Sequence, residues 1–299
     1  MVSSNAVLKF YINPTPYVFL EEQRPYKEAT FALVGVPFEA TSTFRPGVKL
    51  GPRAIREASA SIETYSFRSK IDLLDVKIHD LGDVSVALGD VERTLSVVSE
   101  VSSALIEDGK VPVFVGGEHT ITVGAARPLK DACVLFFDAH ADLRDEYMGQ
   151  KYSHACVARR LLEDGKDVVL VGCRALCKEE LGYIKEKGLK MFTSFQIKED
   201  LDGVSASILE MLDAYQNVYL SVDVDVLDPA YAPGVSTPEP EGLSVTELLD
   251  LLSNVVDERV RCIDLVEVTP PYDNGATAIC AAKVVLETCG FVHRLRSLT

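Results

Sequence analysis

VLFFDAHAD, Val134 to Asp142, joins an apolar run to three polar residues spaced two apart. The run from Val134 to Phe137 is too short for a buried helix. It reads as a strand covered on both faces, as in a parallel sheet. Five similar runs occur: Phe31 to Val36, Val111 to Val115, Val168 to Val171, Val218 to Val222 and Val260 to Val266. Helical patterns lie over Gly51 to Ser66, Val91 to Glu107, Ala155 to Glu163, Val245 to Val256 and Ala276 to Leu295. Strand alternating with helix predicts a mostly parallel sheet with helices on both faces. The expectation is a single domain over 1–299, with residues 1–30 a less regular N-terminal extension.

In open α/β sheets, ligands bind beyond the carboxyl ends of the strands. The most unusual polar residues fall there. Gly116-Gly117-Glu118-His119 follows the run ending at Val115, and Asp223 and Asp225 follow Val222. Glu267 follows Val266. In extended backbone, residues two apart share a side, so Asp138, His140 and Asp142 can converge. Four crowded carboxylates resist ionisation unless cations join them. Two imidazoles and four carboxylates exceed the needs of one tetrahedral zinc. They suit two oxygen-preferring ions such as manganese, about 3.5–4 Å apart. A lone Asp-x-Asp more often caps the next helix. Three of the five histidines, however, fall between His119 and His154 beside these clusters. His79 and His293 read as ordinary satisfied or surface histidines.

Composition bounds the alternatives. The net charge is −15 over 299 residues, with 47% hydrophobic residues. That fits a folded chain and argues against nucleic acid or anionic membranes as partners. No signal peptide and no run of about 18 apolar residues is evident, so a membrane span is not expected. The seven cysteines show no disulfide framework, and Cys173 and Cys177 lack a second pair for zinc. A reducing, cytoplasmic setting follows.

The runs GGEHT at Gly116, DAHAD at Asp138, SVDVDVLDP at Ser221 and EVTPPYD at Glu267 resemble the signature motifs of the ureohydrolases, which include arginases and agmatinases. STFRPGVKLGPRAIR at Ser42 resembles an agmatinase-type motif, and the similarity extends from about Val34 to Cys289. The resemblance implies a three-layer α/β/α fold with a central eight-stranded parallel sheet. It implies two Mn2+ per subunit, one held by His119 and Asp142, the other by His140 and Asp225, with Asp138 and Asp223 bridging. His154 takes the place of a proton-shuttling histidine, and Glu267 that of the acid holding the guanidinium. Asp142 would take up the proton of the attacking hydroxide. A trimer or hexamer is also implied. Two departures stand out: Glu118 replaces the usual Asp, and Ala155 a common Gly.

The expected substrate is a small cationic guanidino compound. Agmatine, cleaved to putrescine and urea, is favoured by the motif around Arg45. Arginine, aminopropylagmatine and guanidinobutyrate remain open. In the loop LRDEYMGQKYSH, Asp145 and Glu146 are acidic enough to receive a terminal ammonium, whereas Arg144 and Lys151 suit a carboxylate. A non-catalytic metal-binding homologue and a single-zinc amide hydrolase are the readings from other classes.

Overall fold

A computed structural model describes residues 3–21 and 23–296. The strands in chain order are β1 (Ile12–Asn13), β2 (Phe31–Val36), β3 (Tyr65–Ser66), β4 (Ile71–Asp72), β5 (Ile78–Val84), β6 (Val111–Gly116), β7 (Ala132–Phe137), β8 (Asp167–Cys173), β9 (Lys190–Thr193), β10 (Asn217–Asp223) and β11 (Val260–Val266). The main sheet has the order β1-β5-β2-β6-β11-β10-β7-β8-β9. Its eight strands from β5 to β9 are parallel, as expected, and two-residue β1 adds an antiparallel edge.

Apolar side chains alternate between the faces of this sheet. Leu33, Val113, Leu135, Leu220 and Ile263 meet the helices Gly51–Ser59, Leu201–Leu212, Val245–Val255 and Ala276–Arg296 on one face. Val34, Phe114, Val134, Phe136 and Tyr219 meet Ser4–Tyr11, Val91–Glu107, Ile121–Ala126 and Val157–Glu163 on the other. Three layers result. The helix Ala276–Arg296 is long and apolar enough to cross a membrane by length and composition, but 72% of its apolar window is buried inside the fold. Local signals fix the helix ends. Asp90 accepts from the Arg93 amide to cap Val91–Glu107, and Ser244 with Glu247 forms a capping box before Val245–Val255.

Two expectations need correction, and one strand was missed. The helix starting at Gly51 stops at Ser59, not Ser66. Ser59 Oγ donates to the Arg56 carbonyl (2.7 Å) and accepts from the Leu20 amide (2.8 Å), tying the last turn to the N-terminal segment. Tyr65–Ser66 instead pairs with β4, and Ser66 Oγ donates to buried Glu287 (2.6 Å) on the last helix. The N-terminal extension is more regular than anticipated: it supplies a helix and the edge strand β1. β5 escaped the sequence reading because its residues alternate between buried and half-buried, interrupting the apolar run.

Arg56 welds these parts together. Its guanidinium donates to both oxygens of Asp80 (2.7 and 2.9 Å) and to Asp83 (2.6 Å), with Arg56 and Asp80 side chains only 1% exposed. Removing one partner of such a pair costs on the order of 3–5 kcal/mol, because the other charge stays buried.

Candidate active site

The four strands that end in the singled-out residues are consecutive neighbours, β6-β11-β10-β7. The chain lays β6 and β7 apart, then inserts β10 and β11 between them. His119, Glu267, Asp223 with Asp225, and Asp138 through Asp142 therefore meet at one carboxyl edge. Asp142 (φ 49°) and Glu267 (φ 67°) both occupy the left-handed region, which disfavours side chains with a Cβ. Such strain concentrates at functional sites.

Nδ1 of His119 lies 3.0 Å from Asp138 Oδ2, 3.2 Å from Asp223 Oδ2 and 3.5 Å from Asp142 Oδ2. Nδ1 of His140 lies 3.0 Å from Asp225 Oδ2 and 3.3 Å from Asp138 Oδ1. Two groups, His119-Asp138-Asp142 and Asp138-His140-Asp225, are each close enough to share an ion, and Asp138 belongs to both. Asp223 belongs to neither group; its Oδ2 reaches His119 Nδ1, and its Oδ1 accepts from the Asp225 amide at 2.8 Å.

The hydrogen-bond pattern tests whether cations fit. Ser221 Oγ donates to Asp264 (2.7 Å), so its contact with His119 Nε2 (2.8 Å) requires the imidazole to donate there. A neutral His119 then aims an unprotonated Nδ1 at three carboxylates. Among the described residues, this buried atom has no hydrogen-bond partner. Lone pairs facing lone pairs are repulsive until a positive charge sits between them. Without an ion, a proton must serve. Burial opposes it, but Asp138 and its neighbours raise His119 to about 9. Burial and adjacent carboxylates push Asp142 and Asp223 well above the usual range. The donor set fits two divalent cations.

One prediction follows from these shifts. His119 holds its proton to about 9 in the ion-free protein, and His140 is also raised well above its ordinary value despite burial. A metal must displace those protons, so acid weakens binding and base strengthens it. The apparent affinity for manganese is expected to rise between pH 7 and 8.5, by up to about tenfold per unit for each displaced proton. Titration calorimetry at several pH values checks this; a flat profile contradicts it.

A cavity of about 320 Å³ opens above the cluster. His154 and Glu267 line it. Glu267 Oε1 accepts from the His119 amide (2.8 Å), and burial, then the charge of Glu118, raises its carboxyl to about 8. His154 is lowered from its ordinary value, chiefly by burial. Asp145 does not line the cavity. Its carboxylate pairs instead with Arg160 (2.9 Å) and Arg159 (3.9 Å). Arg144 does line the wall.

Sequence reasoning missed Glu239, Thr237, Cys177 and Glu180, which also line the wall. Glu239 Oε1 lies 3.9 Å from His140 Nε2. Only its position two residues after Thr237, in a Pro-rich loop, could have drawn notice. It also missed what Gly117 does. A Cβ there would lie 1.9 Å from the Phe38 carbonyl oxygen, so glycine lets the Phe38–Ser42 loop reach the site.

Residues 29–290 match the Arginase family. An agmatinase of Bacillus anthracis is 34% identical, over 90% of this chain and 94% of that protein. An N(1)-aminopropylagmatine ureohydrolase of Thermococcus kodakarensis is also 34% identical, over 88% and 91%. The crystal structure of an agmatine ureohydrolase of Thermoplasma volcanium superposes with a TM-score of 0.87 at 38% identity, covering 96% of this chain and 97% of that one. The chain therefore belongs to the arginase family of ureohydrolases and is a hydrolase acting on amidino C–N bonds.

Proposed function

We propose that the chain hydrolyses agmatine to putrescine and urea, with two Mn2+ ions held by His119, Asp138, His140, Asp142, Asp223 and Asp225. The observation that carries this reading is the unpartnered Nδ1 of His119 among three carboxylates, directly below a cavity lined by Glu267. Guanidinium is resonance-stabilised and resists attack by neutral water. Two such ions, when bound, acidify water and so supply hydroxide near neutral pH.

The side chains do the rest. Glu267 orients the planar cation through paired, charge-assisted hydrogen bonds. Asp142 accepts a proton at its carboxylate. His154 carries protons between the leaving amine and solvent. Urea and an alkylamine leave.

Agmatine is favoured over arginine because both ends are cationic and Glu239 adds an exposed carboxylate to the wall. The Thermococcus relative's name favours a second reading, aminopropylagmatine, which carries a longer cationic tail. A urea-release assay with added manganese decides among substrates. Agmatine is expected to exceed arginine and guanidinobutyrate in kcat/KM by at least about tenfold, the effect of one mismatched charge at roughly 1.4 kcal/mol. Preference for either carboxylate-bearing compound overturns the reading, and preference for aminopropylagmatine moves it to the second.

A further inference from the structure

We propose that Glu118 and Thr41 are positioning residues that fix the tautomer and orientation of His154. The inference rests on the reading in which His154 moves protons.

Glu118 follows directly on Gly117 and is fully buried. Its neighbour His119 points into the carboxylate cluster, but Glu118 is bonded elsewhere. Oε1 accepts from the amides of Ala40 (2.6 Å), Thr41 (2.6 Å) and Ser42 (2.8 Å) and from the Ser42 hydroxyl (3.1 Å). Oε2 accepts from the Thr41 hydroxyl (2.6 Å) and, at longer range, from that of Thr120 (3.5 Å). Such a convergence of amides on one carboxylate holds the loop rigidly against the end of β6.

Thr41 passes this order on. Its Oγ1 accepts from the His154 amide at 3.1 Å and lies 3.1 Å from His154 Nδ1. A hydroxyl has one proton, and Glu118 takes it. The contact with Nδ1 is then a hydrogen bond only if the ring nitrogen donates. Neutral His154 is therefore protonated on Nδ1, which leaves Nε2 to gain and lose protons. The Tyr147 ring stands edge-on to the imidazole, with centroids 5.8 Å apart at 88°, and restricts the remaining rotation. Nothing in the chemistry of a metal ligand calls for a carboxylate at position 118. The bonds to the loop and to Thr41 account for one.

The test uses full-length chain loaded with manganese and the best substrate of the panel. Thr41→Val removes the hydroxyl with little change of shape. It is expected to lower kcat about tenfold, the scale of one lost positioning hydrogen bond, with KM within about twofold and metal content unchanged. Thr41→Ser restores the rate. Glu118→Gln, which offers an amide to the Thr41 hydroxyl, also lowers kcat; if it fails to fold, Thr41→Val alone decides. The double variant Thr41→Val/His154→Ala is expected to be no slower than His154→Ala, since both act through one imidazole. Multiplying effects, or wild-type kcat in Thr41→Val, overturn the relay. If His154→Ala itself turns over at the wild-type rate, the shuttle falls and the relay with it. If His154→Ala is slow and Thr41→Val is not, only the relay falls.

Discussion

Asp138→Ala is expected to leave fewer than one metal ion per chain and to lower kcat/KM by at least about three orders of magnitude, since in the proposed site both hydroxide-generating ions would be lost together. Asp138 is the residue common to both ligand groups. Its Oδ2 faces His119 Nδ1 at 3.0 Å and its Oδ1 faces His140 Nδ1 at 3.3 Å. Oδ1 also accepts from the His140 amide at 2.6 Å, which orients the second imidazole. In the proposed assignment, alanine would remove one ligand atom from each ion and the group that neutralises both. The strand that leads into it, β7, is apolar and buried throughout, so its packing does not depend on the carboxylate. Metal analysis after dialysis, beside a urea assay and a thermal melt, checks the outcome. Two ions retained with full activity would refute the assignment.

Glu267→Gln is the second large effect. The amide is nearly isosteric and can still accept from the His119 amide, which Glu267 Oε1 does at 2.8 Å. Metal content is therefore expected to stay near wild type. The charge proposed to hold the guanidinium would be gone. A buried, hydrogen-bonded charge pair that loses one partner costs on the order of 2–5 kcal/mol, so kcat/KM should fall by roughly 10²–10³. The left-handed backbone at Glu267 remains whatever the side chain, so the variant isolates the charge. Unchanged kcat/KM with full metal content would reject its role in holding substrate.

The legible parts of this protein were those where one local signal carries the information. β2 begins and ends where its apolar run does, because a strand buried on both faces leaves no polar interruption, and β11 keeps its expected bounds although Arg261 and Asp264 lie within it. The polar residues at the ends of β6, β7, β10 and β11 stood out for the same reason. The order β6-β11-β10-β7 was not written in any one segment. It follows from the late insertion of two strands between two earlier ones, a decision of tertiary packing.

Loops were the least legible. Asp145 had the charge to receive an ammonium, yet the long-range conformation of its loop sets it against Arg160, 15 residues later. Glu118 registered only as a departure from a motif. Its partners, Ala40 to Ser42, lie more than 70 residues earlier, and no spacing rule links them. Glu239 enters the cavity from the segment after β10, again through a loop path that periodicity does not encode.

The claim on which the rest depends is that two cations share the cluster. Anomalous diffraction at the manganese edge, from crystals grown with manganese, tests it directly. The account predicts two peaks, one beside His119 and Asp142 and one beside His140 and Asp225, both within reach of Asp138. A single peak, or peaks away from these six side chains, would contradict it.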